Sequence, residues 1–164
     1  MAVNTIRSLD EIVWAVNPRH DTLRSLVEYL TQFVRELIEN TGVDCRFQIA
    51  EDLPELPLTP ELRHNLFLVV KEAVNNALKH SRAKRIYLAI KNEKGQLEIC
   101  IQDDGVGFNL ATIQVNKKRN GLGNMRQRVE VLGGQLLIIS RPGQGTTVRL
   151  VLNCLSSSAK QKLI

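Results

Sequence analysis

The feature that most constrains this chain is a change of hydrophobic period near its middle. From Thr59, residues Leu62, Leu66, Val70, Ala73, Val74, Ala77 and Leu78 recur at steps that give a helix one buried stripe. Past Ser81 the period drops to two. Ile86, Leu88 and Ile90, then Leu97, Ile99 and Ile101, alternate with other residues on either side of Asn92 to Gly95, which reads as an antiparallel hairpin. A long helix handing over directly to a hairpin calls for helices that cover a sheet, not for strict βαβ alternation.

The flanking segments agree. Leu23, Leu26, Val27, Leu30, Val34, Leu37 and Ile38 mark one apolar face of an earlier helix, capped at Asp21 or Thr22 and stopped by Asn40-Thr41-Gly42. A short strand from Cys45 to Ala50 precedes the proline-punctuated loop from Asp52 to Pro60. After Asp103 the segment Phe108 to Asn120 is polar and basic without clean periodicity, and is expected to be a mobile loop. A helix from about Leu122 to Leu132 ends at Gly133-Gly134. A second hairpin, Gln135 to Ser140 and Thr146 to Leu152, turns on Pro142-Gly143-Gln144-Gly145. The expected class is α+β: a two-layer α/β sandwich whose mixed, mostly antiparallel sheet is covered by helices on one face. Three regions follow: residues 1–20 as a leading helix remnant, 21–152 as the folded domain, and 153–164 as a flexible tail.

At the start, Ile6, Leu9, Val13 and Val16 follow the seam pattern of a helix with a partner helix, until Pro18 interrupts it. The pattern is already under way at residue 1, so the chain reads as cut from something longer. No apolar run approaches the length of a membrane span, and no secretory leader is visible. The odd, widely spaced Cys45, Cys100 and Cys154 lack metal-ligand or redox spacing and suit a reducing cytosol, with Cys45 and Cys100 as small apolar fillers. Charge is unevenly spread: residues 1–70 hold 6 Lys and Arg against 11 Asp and Glu, and residues 71–164 hold 16 against 6. The second half is therefore where an anionic ligand belongs. With aromatics at 4% and no aromatic-basic interleaving, that ligand is expected to be a phosphate-bearing small molecule and no nucleic acid.

Four segments could hold it. Glu72, Asn76 and His80 are spaced by four, with Lys79 beside them, on the polar face expected opposite the apolar stripe. Their oxygens suit magnesium, which keeps waters and substrate phosphates as its other ligands; an ordinary solvated face is the alternative. Asp103-Asp104-Gly105-Val106-Gly107-Phe108 ends the first hairpin. Its two glycines allow close approach of a flat ligand, and its aspartate can accept from an amino group such as that of adenine; acidic-glycine turns are also common between strands. Asn120-Gly121-Leu122-Gly123 leads straight into a helix, where free backbone N–H groups make a phosphate cradle, with Lys117, Lys118 and Arg119 just upstream to close over it. A plain glycine turn before a helix would look the same. Gly145-Thr146 adds a hydroxyl at the edge of the same region, or is simply a hairpin turn. Neither the Walker phosphate loop nor the dinucleotide fingerprint is present.

Together, Lys71 to Ser81, Asp103 to Phe108, Gly121 to Gly134 and Gly145-Thr146 resemble, in order and spacing, the boxes of the GHKL ATPases, the gyrase, Hsp90, histidine kinase and MutL group that shares the Bergerat nucleotide-binding fold. The short stretch between the glycine boxes, with Gly121-Leu122-Gly123-Asn124-Met125-Arg126-Gln127-Arg128 and Leu132-Gly133-Gly134, most resembles the nitrate-sensor and lipid-desaturase-sensor branch of histidine kinases. The resemblance covers residues 59–152 closely. It implies ATP and Mg2+ as cofactors, with Asn76 coordinating the metal and Glu72 orienting or polarising the reacting group as the catalytic residue. It also implies that Asp103 reads adenine and that Gly105 and Gly107 let the base lie against the backbone. Gly121, Leu122 and Gly123 would meet the phosphates, and Thr146 the adenine end. Lys79 and His80 match basic positions of the first box.

A kinase of this branch transfers the γ-phosphate to a histidine on an earlier helix, and that helix is not in this chain. His20-Asp21 follows Pro18-Arg19 at a helix break and is not expected to be the acceptor; His64 lies within the long helix. The resemblance thus implies a chain that binds Mg-ATP without phosphorylating itself. Its partners would be the dimerisation domain of a homodimeric, cytoplasmic-facing parent kinase and a response regulator. Residues 1–20 would be the end of the second dimerisation helix, too little of a four-helix bundle to secure a dimer. An anti-sigma-type serine kinase and a non-catalytic nucleotide-binding module of the same fold are the competing readings.

Overall fold

The structure is a computed structural model that describes residues 13, 14, 17, 19, 21–114 and 121–153, with the backbone alone at 113 and 114. Helix α1 (Leu23–Ile38) opens at Thr22, whose Oγ1 accepts from the Ser25 amide at 3.2 Å, which settles the start left open between Asp21 and Thr22. It gives way where Asn40 and Gly42 take left-handed backbone. Strand β1 (Asp44–Ile49) follows. Helix α2 (Pro60–His80) starts on Thr59, whose Oγ1 accepts from the Leu62 amide, with Pro60 in the first turn and Lys79 and His80 against the negative end of the helix dipole.

Next come β2 (Arg85–Glu93) and β3 (Gln96–Asp103), joined through Lys94 and Gly95, both at positive φ as a two-residue hairpin demands. The short helix α3 (Leu110–Gln114), α4 (Gly121–Val131), β4 (Gln135–Ser140) and β5 (Thr146–Asn153) complete the described chain. The strands form one sheet in the order β1-β2-β3-β5-β4. β1 runs parallel to β2 and every other pair is antiparallel, so the expected mixed, mostly antiparallel sheet is found.

One face of that sheet is the core. Ile86, Leu88 and Ile90 of β2, Leu97, Ile99 and Ile101 of β3, and Val148, Leu150 and Leu152 of β5 are buried together with Leu23, Leu26 and Leu30 of α1 and Leu66, Val70 and Val74 of α2. The alternate residues face outward, where Glu98 lies 3.9 Å from Lys91 Nζ and 3.6 Å from Arg149 Nε. An apolar face under helices and a charged face away from them is the two-layer arrangement. Cys45 and Cys100 are half-buried; burial and the neighbouring Asp44 push the Cys45 thiol up to about 11, which fits the packing role expected of it. Cys154 lies outside the described residues.

Two expectations need correction. The stretch after Phe108 is not loop throughout: Leu110–Gln114 is helical, and the Asn109 side chain accepts from the Ala111 amide at 3.0 Å to start it. Five residues are too few to show a hydrophobic period. The buried arc of α2 is also broader than one stripe, adding Arg63, Phe67 and Val69, while Leu62 and Leu78 are only partly covered. α2 packs against α1, the sheet and α4, so its polar residues do not lie opposite its apolar ones.

Part of the leading segment is described, and it packs on this layer. Val13 and Trp14 are helical, and the Trp14 ring stacks on Tyr29 of α1 with centroids 3.9 Å apart. Arg63, 1% exposed, has its guanidinium 5.7 Å from the centre of the Trp14 ring, and its Nη1 donates to the Asn17 carbonyl at 3.1 Å. Ile6, Leu9, Val16, Pro18 and His20 lie outside the described residues.

Candidate functional site

A cavity of about 570 Å³ lies between α2, the ends of β3 and β5, and the start of α4. From α2 it is lined by Glu72, Asn76 and His80, together with Ala73 and Ala77 of the buried arc. The spacing of four carries these polar side chains along one line of the helix, and the two small alanines keep the wall open. Asp103 and Thr146 face it from β3 and β5, Gly107 and Phe108 from the turn after β3, and Gly121 and Leu122 from the first turn of α4.

Eight of the residues singled out in the sequence therefore meet at one place. Lys79 is exposed and is not among the lining residues, and Lys117, Lys118 and Arg119 lie outside the described residues. Gly123 lies in the first turn of α4, with nothing within 4 Å of where a Cβ would stand. Gly105 sits behind the wall, where a Cβ would come within 2.2 Å of the Ser81 carbonyl oxygen. That oxygen accepts from the Val106 amide at 2.7 Å. The glycine at 105 thus lets the turn press onto the end of α2.

Gly107 has φ +59°, and a Cβ on it would stand 2.0 Å from the Arg141 carbonyl oxygen and 2.8 Å from that of Gly145. The Gly143 amide donates to the Val106 carbonyl at 2.6 Å. The turn after β3 is thereby seated inside the turn between β4 and β5, and only a residue without a side chain permits it.

The two adjacent aspartates do different work. Asp103 is 6% exposed, and its Oδ1 accepts from the Gly105 amide at 2.9 Å. Burial raises its pKa above the usual carboxylate value, opposed by the Gly105 amide, the Ser81 hydroxyl and the Thr146 backbone. Asp104, just past the end of β3, is exposed and turns toward the start of β2. Its Oδ1 accepts from the Lys84 and Arg85 amides at 2.8 and 2.9 Å, holding its pKa down and pinning the start of β2.

Sequence reasoning missed Ser140 altogether. Its buried hydroxyl joins three groups: it accepts from the Phe108 amide at 2.9 Å, reaches the Gly145 carbonyl at 3.0 Å and lies 2.9 Å from Thr146 Oγ1. It stands at the end of an alternating strand, where a serine reads as a plain turn residue, and no local signal would have separated it from one. Met125, Ile101 and Val148, which line the apolar part of the cavity, were legible only as core.

Residues 61–155 match the family described as histidine kinase-, DNA gyrase B-, and HSP90-like ATPase. The chain belongs to this ATPase family. Its relatives include the signal transduction histidine-protein kinase/phosphatase DegS of Brevibacillus brevis, 34% identical over 125 residues that cover 75% of this chain and 31% of that protein. The sensor histidine kinase LiaS of Bacillus subtilis is 28% identical, covering 77% of this chain and 34% of LiaS. The chain thus spans about a third of the length of these relatives. Among solved structures, the histidine kinase domain of the Erythrobacter litoralis EL346 blue-light activated histidine kinase superposes with a TM-score of 0.68 at 22% identity, covering 82% of this chain and 63% of that one. That likeness establishes the shared fold.

An ATPase of this family binds ATP, and the cavity suits such a ligand in three respects. Its apolar lining from Ile101, Met125 and Val148 suits a flat base, the Asp103 carboxylate is a buried acceptor beside it, and α4 offers the amides of its first turn. Glu72 and Asn76 supply hard oxygens on adjacent turns. Among the described residues no group of three His, Cys, Asp or Glu could hold a metal, so a divalent ion here would draw its remaining ligands from phosphates and water, as magnesium does. Among those residues, too, no helix is long and apolar enough to cross a membrane.

Proposed function

We propose that this chain is the catalytic domain of a sensor histidine kinase: it binds Mg-ATP and presents the γ-phosphate to a histidine of a dimerisation domain outside the chain. The observation that carries the reading is the convergence of the Glu72, Asn76 and His80 line of α2, Asp103 at the end of β3, and the Gly121 start of α4 on a single cavity. The kinase relatives support it.

Asp103 accepts from the exocyclic amino group of adenine, with Gly107, Phe108 and Thr146 around the base. Asn76 holds the magnesium ion, which screens phosphate charge and supports in-line transfer when bound. Glu72, next to it on α2, orients the attacking group. The amides of Gly121, Leu122 and Gly123 take the phosphates, with Lys79 at the end of α2 and Lys117, four residues before Gly121 in sequence, as cations that offset their charge. Phosphoryl transfer needs positioning and charge compensation above all, and these residues supply both. The acceptor histidine, the response regulator that takes the phosphate onward and the cytosolic setting belong to the parent protein, a homodimer in this reading. Residues 1–20 close its second dimerisation helix.

The test is calorimetry of the chain with ATP, with and without Mg2+, on wild type and on folded Asp103→Ala and Asn76→Ala variants. Asp103→Ala abolishes binding in both conditions, while Asn76→Ala removes the gain due to magnesium. Variants that titrate like wild type refute the site. The kinase step is tested by adding the parent's dimerisation domain and looking for acid-labile phosphate on it.

A further inference from the structure

In the order β1-β2-β3-β5-β4, the sheet ends at β1 on one side and at β4 on the other. An outer strand presents unpaired backbone N–H and C=O groups, and proteins keep other strands off such an edge with charged side chains, proline or bulges. β1 follows that rule. Its exposed Arg46 has Nε 3.7 Å from Asp44 Oδ2 and its guanidinium over the Tyr87 ring. β4 does not: Gln135-Leu136-Leu137-Ile138-Ile139-Ser140 holds no charge, proline or glycine. Among the described residues it pairs on one side only, with β5. Leu137 and Ile139, each 50% exposed, stand on its face away from the helices, opposite Arg149 and Thr147 of β5.

The order of these side chains decides what fits beside them. A charged peptide gains nothing from a strand without charge. A strand running antiparallel to β4 must bring apolar residues opposite Leu137 and Ile139 and polar ones opposite the ends, and β4 itself does so. When two copies are related by a two-fold axis normal to the sheet at Ile138, Leu137 stands opposite Ile139 of the second copy and Ile139 opposite its Leu137. Gln135 then meets the second copy's Arg141, and both are exposed side chains able to hydrogen-bond. An axis at Leu137 would set Ile139 against Gln135, and one at Ile139 would set Leu137 against Arg141. Pro142, which has no amide proton to give, ends the pairing just past Arg141.

We propose that β4 is a self-recognition surface: two copies of this chain pair β4 with β4, antiparallel and centred on Ile138, and so continue the sheet from one copy into the other. Such a contact is small, about 1,000 Å² or less, and is made and broken with concentration. It does not depend on the nucleotide reading. Where the parent kinase is already a homodimer through another surface, a second two-fold contact joins dimers into rows, and only that consequence rests on the proposed function.

The experiment is sedimentation equilibrium of the full chain, with hydrogen exchange of the β4 amides at the lowest and highest concentrations. Wild type should pass from monomer toward dimer over roughly the micromolar to millimolar range, and the β4 amides that point away from β5 should exchange more slowly as it does. Leu137→Lys/Ile139→Lys and Leu137→Glu/Ile139→Glu, both at exposed positions, should each associate about tenfold or more weakly, and an equimolar mixture should dimerise again because the register sets lysine against glutamate. Ile139→Lys mixed with Leu137→Glu, which face each other across the same axis, carries the test where a double variant does not fold. A wild-type chain that stays monomeric throughout, or a lysine variant that associates as wild type does, overturns the proposal. So does a mixture that fails to dimerise, or association without slower exchange in β4, since the copies then meet elsewhere. Protection of β4 that appears only with a different protein present assigns the edge to that partner and overturns it too. Calorimetry of the same variants with ATP is a separate readout: loss of binding there refutes the nucleotide site and leaves this contact standing.

Discussion

Gly121, the first residue of α4, lies so close to Glu72 of α2 that a Cβ on it would stand 2.2 Å from Glu72 Oε1. About two turns further along α4, Arg128 Nη1 donates to Asn65 Oδ1 at 3.0 Å, and Asn65 lies about two turns before Glu72. The two helices are thus tied antiparallel at both ends. In Gly121→Ala the far end of the flexible Glu72 side chain gives way, and alanine recovers helix propensity. Apo stability should change by no more than about 1 kcal/mol. The displaced carboxylate, however, no longer flanks Asn76, so the gain in ATP affinity on adding magnesium should shrink. Urea unfolding and calorimetry with and without Mg2+ measure the two effects separately.

The glycines of the two turns separate backbone conformation from close approach. Gly107 and Gly143 both have positive φ, but a Cβ at 107 would strike the Arg141 backbone, whereas at 143 it meets nothing within 4 Å. Gly143→Ala should therefore lose only the left-handed preference, about 1 kcal/mol. Gly107→Ala must also pull the turn after β3 out of the turn between β4 and β5, at about 2–4 kcal/mol. Equal losses in denaturant melts would show that the two turns are not locked together.

This contrast also marks how far the sequence could be read. Period and turn chemistry located α1, α2, both hairpins and α4 to within a residue or two, because each has enough residues to display a stripe or an alternation and ends in a cap or a glycine. The mixed sheet was legible for the same reason. Helix α3 was not, since five residues make little more than one turn. The sequence brought Glu72, Asn76, Asp103 and Gly121 into one site through their motifs, but it gave no sign that Gly105 also lets its turn press onto Ser81. It also had no means of seeing Ser140, whose role comes from pairing across strands. Contacts made across a sheet or between two turns leave no local trace.

Arg63 offers a spectroscopic reading of how the leading segment sits. Trp14 is the sole tryptophan of the chain, stacked on Tyr29 and under the Arg63 guanidinium, which also donates to the Asn17 carbonyl. Arg63→Ala removes the side chain that joins the segment to α2, both its charge and its packed stem. The Trp14 emission should shift to the red and become more open to iodide quenching, with a loss of about 2–3 kcal/mol in stability. An unchanged emission spectrum would show that the Arg63 contact does not hold Trp14 in place.

The raised pKa of Asp103 sets a pH dependence whose sign can be worked out. In the folded chain burial makes this carboxyl hold its proton to higher pH than in the unfolded chain. Between the two values the folded form binds more protons, so its stability declines as pH rises through that window and levels off above it. Asp104 works in the opposite sense: its backbone hydrogen bonds hold its pKa down, and the stability it adds is lost as pH falls. In a comparison of wild type with Asp103→Asn the backbone hydrogen bonds that lower Asp104 are present in both, so its contribution cancels apart from the lesser charge repulsion between the two aspartates. The stability of wild type relative to Asp103→Asn should therefore decrease steadily from the ordinary carboxylate range upward, then become flat. Urea melts across roughly pH 4 to 8 would show it. A difference constant over that range would mean that the Asp103 carboxyl is as well solvated in the folded chain as in the unfolded one.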